Sequence, residues 1–145
     1  MPPSSAGEEI QSEFFVEYNL LIAAVKELYK HAAEFRDHVQ ITEIRGVTRD
    51  DIPFSPAKER RVFGIHFTWK HDFENVYYAS QRVQEILKPF KYGVHWGKFF
   101  HTKPEIYDFY AGDIEQLKEL IGSKNGSHKF TNCWIERHML GNDNC

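Results

Sequence analysis

Arg61-Val62-Phe63-Gly64-Ile65-His66-Phe67-Thr68-Trp69-Lys70 is the stretch on which the fold turns. Phe63, Ile65, Phe67 and Trp69 fall on one side of it, and Val62, Gly64, His66 and Thr68 on the other. That period of two is the signature of a β-strand, whose successive side chains point to opposite faces. Downstream, Asp72 stands where a helix N-cap belongs. Val76, Ala79, Val83, Ile86 and Leu87 then recur at the three-and-four spacing of an amphipathic helix. Pro89 ends that helix, and Tyr92 to Trp96 reads as a short strand. Upstream, Val47 to Arg60 is a loop containing Pro53 and Pro56. Before it, Val39 to Arg45 is a strand with Val39, Ile41, Glu43 and Arg45 predicted on one face and Gln40, Thr42 and Ile44 on the other. Leu21, Val25, Leu28, Ala32 and Phe35 mark a helix over roughly Asn19 to Asp37, and Ile10 to Val16 is the first strand.

The order is therefore strand–helix–strand, loop, strand–helix–strand. Two such halves in tandem predict an α+β domain of ferredoxin-like type, a split βαβ repeat (β-α-β-β-α-β). Its single sheet has helices on one face and leaves the other for a partner, a ligand or solvent. A C-terminal helical tail follows: Ile114, Leu117, Leu120 and Ile121 suggest a short helix, Gly122 to His128 a turn, and Phe130 to Leu140 an apolar segment that packs back. Residues 1–9, rich in Pro, Ser and Gly, read as a disordered leader, and residues 10–145 as one domain.

At 145 residues with 41% hydrophobic content the chain can build one real core. A net charge of −3 with scattered basic residues gives no footprint for nucleic acid. No apolar run approaches the ~20 residues of a membrane span, and the leader lacks the apolar centre of a secretory signal, so a cytoplasmic location is expected. Two cysteines, Cys133 and Cys145, are too few for a disulfide framework and read as free thiols.

Four positions stand out chemically. Glu43 and Arg45 project from one strand face two residues apart: either a solvated pair or, given apolar neighbours on that face, charges that need a ligand or partner. His66 sits mid-strand among apolar residues, where a hydrogen-bonded structural histidine and a site residue are both consistent with the pattern. His95-Trp96-Gly97-Lys98 places a lysine just past a strand end, behind a glycine that allows close backbone approach. The eight histidines lack the spacing of a zinc site, so no metal is expected. There is no G-x-G-x-x-G, P-loop or G-x-S-x-G pattern either.

Five segments, in order and spacing, resemble the C-terminal domain of FAD-linked alditol (xylitol) oxidases. They are Ile10-Gln11-Ser12-Glu13-Phe14-Phe15-Val16, Glu43-Ile44-Arg45, His66-Phe67-Thr68-Trp69-Lys70, His95-Trp96-Gly97-Lys98 and Lys129-Phe130-Thr131-Asn132. Those enzymes group with the D-arabinono-1,4-lactone and L-gulono-1,4-lactone oxidases in the vanillyl-alcohol oxidase group. The resemblance implies that residues 10–145 form the substrate (cap) domain of an oxidase whose FAD-binding domain is absent from this chain and would act in cis or in trans. It implies an alditol or aldonolactone substrate, hydride transfer to the flavin, and O2 as acceptor giving H2O2. By the same resemblance, Arg45, His66 and Lys98 would be catalytic, Glu43 and Arg45 would bind substrate, and His95 and Lys98 would contact the cofactor. Membrane association is open by family analogy. His66 within its HFTW-like string and Gly97 tilt the resemblance toward alditols. Val94 departs from it, since the family commonly has proline there. Without the FAD half the chain is expected to be colourless and inactive. A non-catalytic ferredoxin-like binding or regulatory module is the alternative.

Overall fold

The computed structural model describes residues 9–124, 129 and 131–140. Strands β1 (Ile10–Glu17), β2 (Val39–Val47), β3 (Val62–Trp69) and β4 (Gly93–Val94) form one sheet in the order β2-β3-β1-β4. Every pairing is antiparallel. Helix α1 (Leu21–Lys30) connects β1 to β2, and α2 (Phe73–Leu87) connects β3 to β4. The expected α+β, ferredoxin-like β-α-β-β-α-β order is therefore present, with a helical part after it: α3 (Pro104–Phe109), α4 (Ala111–Lys124) and the short α5 (Cys133–Ile135) leading into a π-turn over Glu136–Leu140.

The core lies between the helices and one sheet face. Phe14, Val16, Ile65, Phe67, Trp69 and Val94 meet Ala24 and Leu28 of α1 and Val76, Ala79, Val83 and Leu87 of α2. Each large side chain buried this way contributes about 1.5–3 kcal/mol relative to exposure. Phe67 stacks on Trp69 with ring centroids 5.1 Å apart. Asp72 caps α2, accepting from the Asn75 N–H at 3.4 Å.

Three local expectations are corrected. The period of two does not run through the whole of β2: a bulge lies between Val39 and Ile41, so Val39 pairs with Trp69 and Ile41 with Thr68. The extra residue, Gln40, donates its side-chain N–H to the Trp69 carbonyl at 3.1 Å. Val39 thereby joins the helix-side core, and Ile41, Glu43 and Arg45 share the other face with Val47. The first helix stops at Lys30, and two 3-10 turns, Ala32–Glu34 and Arg36–His38, continue to β2. Leaving the helical path brings Phe35 into the core, where it meets Phe67 edge to face. The last strand pairs only over Gly93–Val94, because beyond it the chain turns at His95–Lys98.

The outer edge of β4 is closed by a side chain. The Tyr110 hydroxyl donates to the Val94 carbonyl at 3.0 Å and accepts from the Val94 N–H at 3.2 Å. Burial pushes the Tyr110 phenol well above the usual tyrosine range. The loop between β2 and β3 is also ordered against its surroundings. Phe54 packs on Trp96 and Tyr110, and Lys58 bonds Asp113 of α4 at 2.5 Å. Ala57 of the same loop covers Phe15 and Val62 at one end of the second sheet face.

Leu117, Ile135, Leu140 and Met139 pack against the main core, as the apolar tail suggested. The leader expected at residues 1–9 lies outside the described residues but for Glu9, as do 125–128, Phe130 and Cys145. Cys133 is disulfide-bonded, which overturns its reading as a free thiol. Among the described residues no helix is long and apolar enough to cross a membrane, and no cluster of His, Cys, Asp and Glu could hold a metal ion.

Candidate functional site

The sheet face away from α1 and α2 carries a row of charged and polar side chains. Strand register creates it: Glu13 of β1 lies opposite His66 of β3, and His66 lies opposite Glu43 of β2. Directly opposed residues in antiparallel strands have Cβ atoms roughly 4.5–5.5 Å apart, so the three side chains form a line across the sheet. Each carboxylate has its own cation. Lys98 donates to Glu13 Oε2 at 2.6 Å, and Arg45 donates to Glu43 Oε2. The sequence across the face is Lys98, Glu13, His66, Glu43, Arg45.

Burial grades along this row. The Glu13 and Lys98 side chains are 7% and 16% exposed, while those of Glu43 and Arg45 are 40% and 50% exposed. His66 is buried, and neither of its ring nitrogens has a hydrogen-bond partner. Its Nδ1 lies 3.3 Å from Glu43 Oε2, but the contact is too poorly aligned to count as a hydrogen bond. His66 thus has one polar neighbour within reach, Glu43, and no well-aligned hydrogen bond. Burial holds the imidazole below the usual histidine range, with Lys98 and Arg45 acting in the same direction against Glu13 and Glu43. A histidine held below its ordinary range favours the neutral imidazole at pH 7, in which one ring nitrogen is an acceptor.

Glu43, Arg45, His66 and Lys98 thus share one patch. His95 is at its rim rather than in it. It is exposed, and its Nδ1 accepts the Gly97 N–H at 3.1 Å within the turn. Beside it a shallow depression of about 370 Å³ is lined by Glu9, Gln11, His95, Gly97, Lys98 and Phe99. Trp96 points elsewhere and donates from its indole nitrogen to the Phe54 carbonyl at 3.2 Å.

Sequence reasoning missed Glu13 as a site residue. The signal was present: Gln11, Glu13 and Phe15 alternate with buried Ser12 and Phe14, so a carboxylate faces the uncovered side of a central strand. Gly64 makes room for it, since a Cβ there would lie 2.7 Å from Glu13 Oε1 and 3.0 Å from the Phe15 ring. A second polar group was also missed, but its role is to tie segments together. Gln84 of α2 accepts the His101 N–H at 2.6 Å and donates to the Tyr92 hydroxyl at 2.8 Å, and His101 Nε2 lies 2.9 Å from Ser80 Oγ.

The chain is a ferredoxin-like α+β domain with a mixed-charge row on the sheet face away from its helices. No family model matches the chain. It is 28% identical over 137 residues to the alditol oxidase of Streptomyces sp. (strain IKD472 / FERM P-14339). That similarity covers 94% of this chain and 33% of the relative, so the chain spans about a third of the protein it matches.

Proposed function

We propose that residues 10–145 are the substrate-binding C-terminal domain of an FAD-dependent oxidase acting on CH–OH groups, with alditols as first substrate class and aldonolactones as second. The observation that carries this reading is the convergence of Glu43, Arg45, His66 and Lys98 on one patch of the sheet face away from the helices, with His66 buried between two carboxylates that each carry a cation. The likeness to alditol oxidase supports the reaction class.

The donor set fits the edge of a flavin. Arg45, Lys98 and, at the rim, His95 offer cationic or N–H groups on an uncovered face. The sequence has no dinucleotide-binding pattern, so the rest of the FAD would be held by another segment or chain. When bound, the flavin supplies the hydride acceptor and passes the electrons to O2, giving H2O2. In this chain, Glu43 binds polyol hydroxyls and orients Arg45. Arg45 and Lys98 stabilise negative charge developing on the substrate oxygen, which is electrostatic stabilisation by preorganised groups. His66 accepts the hydroxyl proton at a ring nitrogen, a step that needs it neutral.

The test uses the natural polypeptide that carries this sequence, isolated from its source. It should absorb visible light as a flavoprotein and release peroxide with xylitol. Arg45→Ala or Lys98→Ala should lower turnover at least about tenfold, or roughly 1.4 kcal/mol of transition-state stabilisation. A protein without flavin, or peroxide release unchanged in both variants, would overturn the reading.

A further inference from the structure

The two carboxylates beside His66 are not equivalent. Glu43 is half exposed and stands where a ligand can reach it, whereas Glu13 is nearly sealed. We propose that Glu13 is a positioning residue that fixes the Lys98 ammonium at the site. This rests on the reading of Lys98 as a group facing the reacting centre, and it adds a residue that acts through Lys98.

Lys98 needs such an anchor. It follows a turn rather than lying in a strand, and a lysine ammonium on its four-carbon stem samples many positions when unrestrained. Its root is stapled to β1 on both sides. The His95 N–H donates to the Glu13 carbonyl at 3.0 Å, the Phe99 N–H to the Gln11 carbonyl at 2.8 Å, and Ser12 Oγ to the Phe99 carbonyl at 2.7 Å. These bonds bring Lys98 beside the strand that carries Glu13, and the 2.6 Å ion pair fixes its tip. The pairing is enforced from the other side too. A carboxylate this buried is costly without a cation, so Glu13 holds Lys98 as firmly as Lys98 satisfies Glu13. Gly64 completes the seat, because any Cβ there would press on Glu13 Oε1.

The experiment is nitrogen-15 NMR of the lysine ammonium groups in the 145-residue chain, with backbone spectra reporting the fold. Wild type should show a slowly exchanging ammonium signal assigned to Lys98 by its loss in Lys98→Arg, separate from any given by Lys58 on Asp113. Glu13→Gln should return Lys98 to the fast exchange of exposed lysines, and Glu43→Gln should leave it protected. Retention of the protected signal in Glu13→Gln overturns the proposal, and so does its loss in both variants. Should Glu13→Gln not fold, Glu13→Asp keeps the charge but shortens the reach. It should weaken the protection, and unchanged protection there also overturns the proposal. In the flavin-loaded natural protein, Glu13→Gln should lower kcat severalfold with KM for xylitol little changed, and Glu43→Gln should chiefly raise KM. If wild type oxidises no polyol while the Lys98 signal responds as stated, the oxidase reading fails and the hold of Glu13 on Lys98 stands.

Discussion

Replacing His66 with leucine should stabilise the isolated domain. A buried imidazole with both nitrogens unpaired carries a cost, because its neutral form has one donor and one acceptor that water would otherwise satisfy. Each such unmade hydrogen bond costs about 1–3 kcal/mol. Two would sum to about 2–6 kcal/mol. Part is recovered electrostatically, since Nδ1 lies 3.3 Å from a Glu43 carboxylate that is half open to solvent. Leucine is close in volume, fills the same space between Glu13 and Glu43, and has nothing to leave unpaired. A net gain of about 1–2 kcal/mol is the expected balance.

Urea unfolding followed by far-UV circular dichroism measures this directly. With a slope near 2 kcal/mol/M, the midpoint should rise by about 0.5–1 M with the slope unchanged. A fall of similar size would refute the reasoning, because it would mean that the imidazole makes hydrogen bonds the domain depends on. The gain should be accompanied by loss of polyol oxidation in the flavin-loaded protein, as expected where a site residue is kept at the expense of stability.

Gly64→Ala should destabilise by about 1–2 kcal/mol, the overpacking cost against Glu13 and the Phe15 ring less the entropy gain of removing a glycine, whereas Gly46→Ala, whose Cβ meets Phe63 at an ordinary 3.4 Å, should be neutral or slightly stabilising in thermal melts. Tyr110→Phe should cost about 1–3 kcal/mol in the same assay, since it strips both hydroxyl bonds from the Val94 backbone at the β4 edge. Acidification should lower the melting temperature in two windows. His66 and His101 are both held below the usual histidine range, chiefly by burial, so their contribution is complete above about pH 6.5 and is lost as the pH falls from there toward their folded values. Glu34, drawn down to about 2 by Arg82 and His31, adds a loss below the ordinary carboxylate range. A melting temperature flat between pH 7.5 and 5.5, or one that rises on acidification, would contradict the assignment.

What was legible in the sequence follows the physics of each element. The Arg61–Lys70 alternation and the Val76–Leu87 spacing are regular because those elements are buried on a whole face, so the β-α-β-β-α-β order could be read. The β2 bulge could not, since a bulge is decided by pairing with β3 and leaves no mark in the period of one strand. Helix α3 was missed because it begins at Pro104 and is only six residues long, too short for a repeat to register. At the site, Glu43, Arg45, His66 and Lys98 were readable from strand faces and from family resemblance. The face of Glu13 could be read from the alternation of β1, but its purpose shows only when Lys98, 85 positions away in sequence, closes on it.

The arrangement also bears on how substitutions at the site should be interpreted. Glu13 and Glu43 favour a protonated His66, while Lys98, Arg45 and burial oppose it. Taking away either cation therefore does two things at once. It removes positive charge from the substrate oxygen, and it leaves one carboxylate beside His66 uncompensated, which raises the imidazole and moves it toward the form that cannot accept a proton. The loss in Arg45→Ala or Lys98→Ala is then the sum of an electrostatic and a protonation effect, and only the second recovers as pH rises. A pH profile separates them: the rate of either variant should climb with pH over a range shifted upward from that of wild type, toward a plateau still below it. A deficit constant with pH would mean that His66 stays neutral without the cation and that its state is set by burial alone.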